Sequence, residues 1–577
     1  MAVRVRVPLA ALPIKFITFM NKNLILSLTA CSLLLTTSCS KLGKLSADNF
    51  TITPNPLETL GGKVPATVDG QFPEKYMKKK ATVTVTPELR YGNGQVAKGQ
   101  GTTFQGQKVM GNNQVIQYKV GGRYTMKTAF DYVPEMQNSD MYLTFDAHIG
   151  KKKVNVPEVK VAKGVISTSE LYKKTMTNEG ACIAPDSFQR VNAKKQEANV
   201  KFIINQANLR SSQLKNNSVK EFVKMLKNIN SDREKLAINN VEIQAYASPE
   251  GGFSFNNKLA NKRQNTSEGY VKQQLKATKV KTDIDAHYTA QDWEGFQQLV
   301  QASNIQDKDV ILRVLSMYKD PQQREQQIRN MSEGFRELAN EILPELRRSR
   351  LIINYETIGR SNDQTKEQYA SDPSKLSVDE LLYAASLEND AAKKEDIYKK
   401  AAELYSNDYR AFNNIAALEL NKGNEDVANN YINEAIKANA DAPEAYANKA
   451  YINLQHGQLE EAQNNLAKAA NGNGFNEVLG NLNIARGNYA NAADEFSKSN
   501  NNSAVLAQIL NKDYAAAEQT IKNVKNADAV TSYLHAILCA RQGNNSDASS
   551  YLKEALQKDN SLAAYADKDL EFAKIKK

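Results

Sequence analysis

A chain of 577 residues is too long for one hydrophobic core, so several domains are expected. Hydrophobic residues at 41% and charged residues at 24% are an ordinary globular balance. The net charge of +11 is spread thinly, with no Lys/Arg stripe interleaved with aromatics, which argues against nucleic acid as a partner. The runs Lys78-Lys79-Lys80 and Lys151-Lys152-Lys153 fit solvated strand ends or hairpin tips. Cys31, Cys39, Cys182 and Cys539 include no pair with metal-ligand or redox spacing, and His148, His287, His456 and His535 are scattered singly. With no nucleophile–base pairing and no nucleotide loop, the expectation is a non-catalytic protein without a metal or cofactor.

The first element is an address. Leu24–Leu35 is an uncharged, mostly apolar run, too short to span a bilayer. It follows Lys22 and ends in Thr36-Thr37-Ser38-Cys39, the basic, apolar and small-residue order of a secretory signal. A cysteine closing such a run resembles the bacterial lipoprotein signal, although Thr36 stands where that family prefers Leu. The resemblance implies a signal over 1–38, with Met20 the natural start, and acylation of Cys39. Several acyl chains would then anchor the protein stably, whereas one chain alone is marginal. Residues 39–48 form the lipidated linker. Ser40-Lys41-Leu42-Gly43-Lys44 lacks the acidic residues that usually follow the cysteine of surface-exported Bacteroidetes lipoproteins. A periplasm-facing protein of the outer membrane is therefore expected.

Residues 49–165 read as strands. Ala81–Thr86 and Met141–Ala147 alternate with period two, and Asn93-Gly94, Gly111-Asn112-Asn113 and Gly121-Gly122 punctuate the runs. Short strands at this spacing predict a β-sandwich. Tyr91-Gly92-Asn93-Gly94 precedes no helical pattern and reads as a hairpin turn, not a phosphate loop.

After a polar linker, 166–196, a second domain is expected over 197–359. Val200–Ile204 reads as a strand. Ser218 and Glu221 form a capping box before a helix that aligns Val219, Phe222, Val223, Leu226 and Ile229. Val241–Ala247 is a second strand, and a loop, Ser248-Pro249-Glu250-Gly251-Gly252, leads to a helix bearing Leu259, Arg263, Tyr270 and Leu275. Strand, helix, strand, helix predicts an α+β domain. Asn256-Asn257-Lys258-Leu259-Ala260-Asn261-Lys262-Arg263 resembles the N-x-x-L-S-x-x-R helix motif of the OmpA-like domain, a family that binds peptidoglycan. The resemblance implies that Arg263 meets a carboxylate of diaminopimelate through its bidentate fork. An aspartate fifteen residues earlier takes the ammonium in that family, but Ser248 stands there. Either Glu250 substitutes, or the site holds one end of the ligand, or loop N–H groups hold an anion. A domain that kept its fold and lost its ligand is the competing reading. The candidate site is Arg263, Ser248, Glu250 and Asn256. Residues 281–349 add helices, with Trp293 as a core anchor, before a last strand at Arg350–Tyr355; this elaborated form is similar to OmpA-like proteins of the Bacteroidetes.

Beyond a linker at 360–375, residues 376–577 repeat. Gly423 and Gly457 lie 34 apart, and each is followed by a small residue, a large apolar residue and another small one: Ala428, Ile432, Ala435 and Ala462, Leu466, Ala469. Gly487 and Gly543 open similar sets, and a shorter glycine-free copy lies around Tyr514 and Ala517. The period and pattern resemble tetratricopeptide repeats, which implies an all-α solenoid with about five repeats, an irregular one near Asn389, and a divergent tail. Such a solenoid implies an envelope protein as partner. The reading is thus β-sandwich, OmpA-like α+β domain and tetratricopeptide solenoid in one lipid-anchored chain. It either tethers the membrane to peptidoglycan while scaffolding a partner, or serves purely as an assembly module of a transport, secretion or fimbrial complex.

Overall fold

Alternation drives the first part of the chain: along Ala81–Tyr91, Val83, Val85 and Leu89 are buried while the threonines between them are only partly covered. The computed structural model describes residues 41–305, 307–330 and 336–575, so the expected signal and Cys39 lie outside the described residues. The chain forms two units, one joining the residues up to Ala184 with those from Ser406 on, the other Pro185–Tyr405.

The β-rich part of the first unit contains β1 (Phe50–Thr53), β2 (Leu57–Glu58), β3 (Lys63–Phe72), β4 (Ala81–Tyr91), β5 (Gln95–Lys98) and β6 (Thr102–Gly106). It continues with β7 (Gln114–Ile116), β8 (Gly122–Asp131), β9 (Ser139–Ile149), β10 (Lys152–Val154), β11 (Val159–Lys163) and β12 (Val165–Ile166). One sheet has the order β1-β3-β8; a larger one runs β10-β9-β4-β6-β7, with β11 on β9 and β5 on β4. The two share a core, where Phe104 of the large sheet meets Phe72 and Tyr124 of the small one at centroid distances of 5.3 and 4.2 Å. Tyr91 pairs with Gln95 across Gly92-Asn93-Gly94, the expected hairpin turn, and Lys151 sits in the hairpin between β9 and β10. The expected linker at 166–196 is not one. It holds a 3-10 turn at Thr168–Leu171, the helix α1 (Tyr172–Glu179) and an extended stretch to Ala184.

The middle unit begins with β13 (Val191–Lys201), which starts before the expected boundary at 197. The first half of β13 is largely exposed and polar, so no alternation marks it. Next come α2 (Asn217–Ser231), β14 (Leu236–Tyr246), α3 (Phe253–Thr278) and β15 (Asp283–Thr289). Helices α4 (Trp293–Ala302), α5 (Lys308–Met317) and α6 (Pro321–Asn330) precede β16 (Arg348–Ile358). The sheet order is β13-β16-β14-β15, with β15 parallel to β14 and the other pairs antiparallel. Phe222 and Leu226 of α2 and Val271 and Leu275 of α3 bury one face of the sheet against Val241, Ile243, Leu351 and Ile353. Asn216 caps α2, accepting from the Val219 amide at 2.8 Å, in place of the expected Ser218 box. Strand β15 went unread because its residues are mostly exposed. Trp293 anchors the inserted helices, its ring 5.6 Å from Phe296.

Residues 360–375, expected as a linker, form α7 (Asn362–Ser371). The hairpin of α8 (Val378–Ser386) and α9 (Ala391–Leu404) belongs to this unit, which runs past the expected boundary at 376. Arg360 pairs with Glu380 at 2.7 Å, and Phe188 stacks on Tyr383 at 4.5 Å.

From Ser406 on, the first unit resumes as stacked hairpins: α10 (Tyr409–Asn421) with α11 (Glu425–Ala438), α12 (Pro443–Gln455) with α13 (Leu459–Leu466), and α14 (Phe475–Ala485) with α15 (Tyr489–Glu495). Then follow α16 (Asn502–Leu510) with α17 (Tyr514–Lys522) and α18 (Ala529–Arg541) with α19 (Asn545–Lys558). The small residues Ala428, Ala462, Ala492, Ala517 and Ala548 are fully buried where helices approach closely. Gly423, Gly457, Gly487 and Gly543 make the inter-helix turns at φ between +72° and +82°. In the glycine-free repeat Lys512 takes the same left-handed conformation at φ +63°. The tail closes the last repeat: Phe572 is fully buried, and Tyr533 donates its hydroxyl to Asp569 at 2.7 Å. Arg541 joins the β-rich part to the solenoid, reaching Glu58 at 2.7 Å and Glu571 at 2.6 Å.

Candidate functional site

Two polar clusters stand out, one in each unit. The first is a clamp in the solenoid. Helix α1 and the extended stretch after it lie as a strap along the first helices of the repeats. The strap's apolar side chains Leu171, Tyr172, Met176 and Cys182 join the solenoid core. The Tyr172 hydroxyl donates to the Leu454 carbonyl at 3.1 Å, and Gln455 donates to the Lys173 carbonyl at 3.0 Å. Ser503 and Thr175 share a buried hydroxyl bond at 2.9 Å.

Where the strap becomes extended, asparagines take over. Asn414 of α10 accepts from the Ala184 amide at 2.7 Å and donates to the Ala184 carbonyl at 3.0 Å. Asn448 of α12 does the same for Cys182, at 2.6 and 2.8 Å. Asn421 accepts from the Ala181 amide, Asn413 donates to the Cys182 carbonyl and Asn473 donates to the Ile183 carbonyl. A neutral carboxamide offers a donor and an acceptor side by side, the complement of one residue's N–H and C=O. In an extended segment residues two apart present these groups on the same side, so successive repeats hold Ala184 and Cys182. Gly474 makes room: a Cβ there would fall 2.3 Å from the Cys182 sulfur. Burial, with the Glu477 and Glu444 carboxylates, pushes the Cys182 thiol up to about 12, leaving it a packing group and not a nucleophile.

Asn414 and Asn448 lie 34 apart, the period of the turn glycines, so the sequence did carry a signal for this clamp. What it did not carry was the occupant, 266 residues away from Asn448.

The second cluster gathers all four residues expected to bind the cell wall. Arg263 is 1% exposed. Its guanidinium donates to the Gln206, Tyr246 and Ile203 carbonyls at 3.0, 2.8 and 3.2 Å, and it lies 4.9 Å over the Phe202 ring. Burial, with the nearby Arg347 cation, pulls its pKa down to about 10, still charged at neutral pH. Ser248 donates its hydroxyl to Glu250 at 2.9 Å, and Asn256 donates to the Ser248 and Gly251 carbonyls at 2.8 Å each. Glu250 is held bidentately by Arg347, both contacts at 2.9 Å, a partner that sequence reading placed only in an inserted helix. Arg263 is thus neither an open fork nor a surface arginine: three of its donors tie the Ile203–Gln206 loop to the end of β14.

Among the described residues no group of His, Cys, Asp or Glu is placed to hold a metal ion, and no helix is long and apolar enough to cross a membrane. Cys182 and Cys539 are both buried and free.

No protein-family model matches the sequence, and no curated protein matches it at a significant level. Among solved structures, the chain is similar to a tetratricopeptide repeat protein from Parabacteroides merdae ATCC 43184, at 15% identity over 37% of this chain and 91% of that one, with a TM-score of 0.27. Similarity to pilF of Pseudomonas aeruginosa is 16% identity over 38% and 99% of the two chains, TM-score 0.26. For yeast Tom70 the figures are 12% identity, 63% and 84%, and a TM-score of 0.24. These likenesses concern helical-repeat folds alone.

Proposed function

We propose that this protein is a non-catalytic, lipid-anchored assembly module of a Gram-negative envelope, whose repeats hold a protein partner and whose OmpA-like middle domain is a spacer. The observation that carries this reading over wall tethering is the state of the two charges a zwitterionic ligand needs. Arg263 is buried on backbone carbonyls, and Glu250 is committed to Arg347. Freeing Glu250 would take the bidentate partner from the largely buried Arg347 cation, and freeing Arg263 would give up its bonds to three carbonyls. The helical repeats supply the surface for a partner. The lipoprotein-like Cys39 supplies the anchor, with the basic residues after it favouring the periplasmic side.

The test is paired. In-cell cross-linking of the full chain is expected to recover one dominant envelope protein. Purified sacculi are expected not to sediment the full chain, or to do so equally for wild type and Glu250→Gln. Sacculus binding that weakens in Glu250→Gln would return the function to a cell-wall tether.

A further inference from the structure

The strap does not use the whole clamp. The third repeat carries Asn481 on α14, 33 residues after Asn448, where the next strap residue in the two-residue stride is Gly180. Gly180 caps α1 instead, its amide donating to the Met176 carbonyl at 3.2 Å. Asn481 is 2% exposed; its amide nitrogen donates to the Glu477 carbonyl at 2.8 Å, and its Oδ1 has no partner. That bond fixes the amide orientation, because turning it over would set oxygen against oxygen.

Asn481 lines a cavity of about 320 Å³ beside Gly180, Cys182 and Glu477. The cavity shares Asn473, Gly474 and Glu477 with a second hollow of about 710 Å³, and Asn501 with a third of about 410 Å³. Together they make a track along the inter-repeat loops of repeats three and four, continuous with the strap clamp. Its lining is rich in carboxamides: Asn476 and Asn500 are exposed, and Asn473 and Asn501 line it beside them. The acids Glu477, Asp494, Glu495 and Asp528 outnumber the cations Lys498 and Lys525.

We propose that this track receives an extended segment of the partner protein by its main chain, with small side chains and a net positive charge. The inference rests on the scaffold reading above and adds the chemistry of the partner. Carboxamides in the adjoining clamp already pair with peptide N–H and C=O groups of an extended segment, and a cavity edged by carboxylates favours a basic one.

The probe is a labelled acetyl-Lys-Ala-Ser-Ala-Ser-Ala-Lys-amide, titrated into the full chain by fluorescence anisotropy. Saturable binding is expected, weakened about tenfold or more when alternate amides are N-methylated and about fivefold or more by Asn481→Leu. The exposed double variant Asn476→Ala/Asn500→Ala is expected to weaken it too, and covers the case that Asn481→Leu fails to fold. No binding, or equal binding of the N-methylated peptide, overturns the proposal. A photo-cross-linker at Asn500 and another at Lys553, outside the track, separate the two readings in cells. Partner adducts from Lys553 alone overturn the track and leave the scaffold standing; adducts from neither sink both.

Discussion

The strap clamp and the Arg263 cluster solve one problem with different chemistry. Each uses buried polar side chains to hydrogen-bond the backbone of an irregular segment: Asn413, Asn414 and Asn448 for the strap, and Arg263 for the exposed Ile203–Gln206 loop. In the solenoid the satisfying groups are neutral carboxamides, of which Asn414 and Asn448 each serve the N–H and C=O of one strap residue at once. In the middle unit it is a cation, which serves carbonyls only and must be desolvated to do so. The carboxamide pairing can be repeated along a chain without accumulating charge. The buried guanidinium is a single staple whose loss removes three charge-assisted bonds at once. Arg263, chosen from sequence for its ligand chemistry, is engaged by the protein's own backbone.

Breaking the staple is expected to have the largest effect. Arg263→Leu should lower the stability of the middle unit by about 3–5 kcal/mol, read as a shifted denaturant midpoint. Arg263→Lys should recover only part of it, because an ammonium cannot reach three divergent carbonyls. Wild-type stability in Arg263→Leu would show that the carbonyls find other donors.

Breaking one rung of the clamp should cost less. Asn448→Ala is expected to lose about 2–3 kcal/mol by leaving the Cys182 amide and carbonyl short of partners. In a Cys539→Ser background, alkylation of Cys182 should then accelerate about 30-fold or more, since labelling needs the strap to lift. An unchanged rate would mean that packing, not the carboxamides, holds the strap down.

A pH effect sharpens the comparison, since the solenoid also half-buries a titratable group. His535 stacks on Tyr551 at 3.6 Å, and desolvation lowers its pKa despite the nearby Glu518 and Glu554 carboxylates. The folded value lies below the unfolded one near 6.5, so the unfolded chain binds the extra proton in between. Solenoid stability should be complete above about pH 6.5 and decline below it, and His535→Phe should flatten that decline. The smallest expected effect is a gain: Lys512→Gly relieves a left-handed lysine and should raise stability by about 1 kcal/mol, seen as a higher melting temperature. A loss instead would mean that the extra freedom of glycine in the unfolded chain dominates.

Much of the fold was legible because it is periodic. The 34-residue spacing of Gly423 and Gly457 and the buried alanines that follow them describe the repeats without any long-range information. The two-residue alternation of β4 and β9 likewise identified the β-rich part. Segments without a period were misread. The exposed first half of β13, the exposed strand β15 and the strap helix α1 show no apolar pattern, since each contributes few side chains to a core. The four candidate wall-binding residues do cluster, but what each touches was not readable.

The sequence by itself determined the periodic elements: where the repeat helices pair, where their glycine turns fall, and which residues of those elements face inward. Those follow from periodicity and backbone sterics acting over a few residues. Only the tertiary structure decided how the polar groups were used. Hydrogen-bond partners 57 to 266 residues apart are not matched to one another by local pattern. Cys182 meets Asn448, and Arg263 meets the carbonyls of Ile203 and Gln206, only once the cores around them have closed and taken the Asn448 and Arg263 side chains out of water.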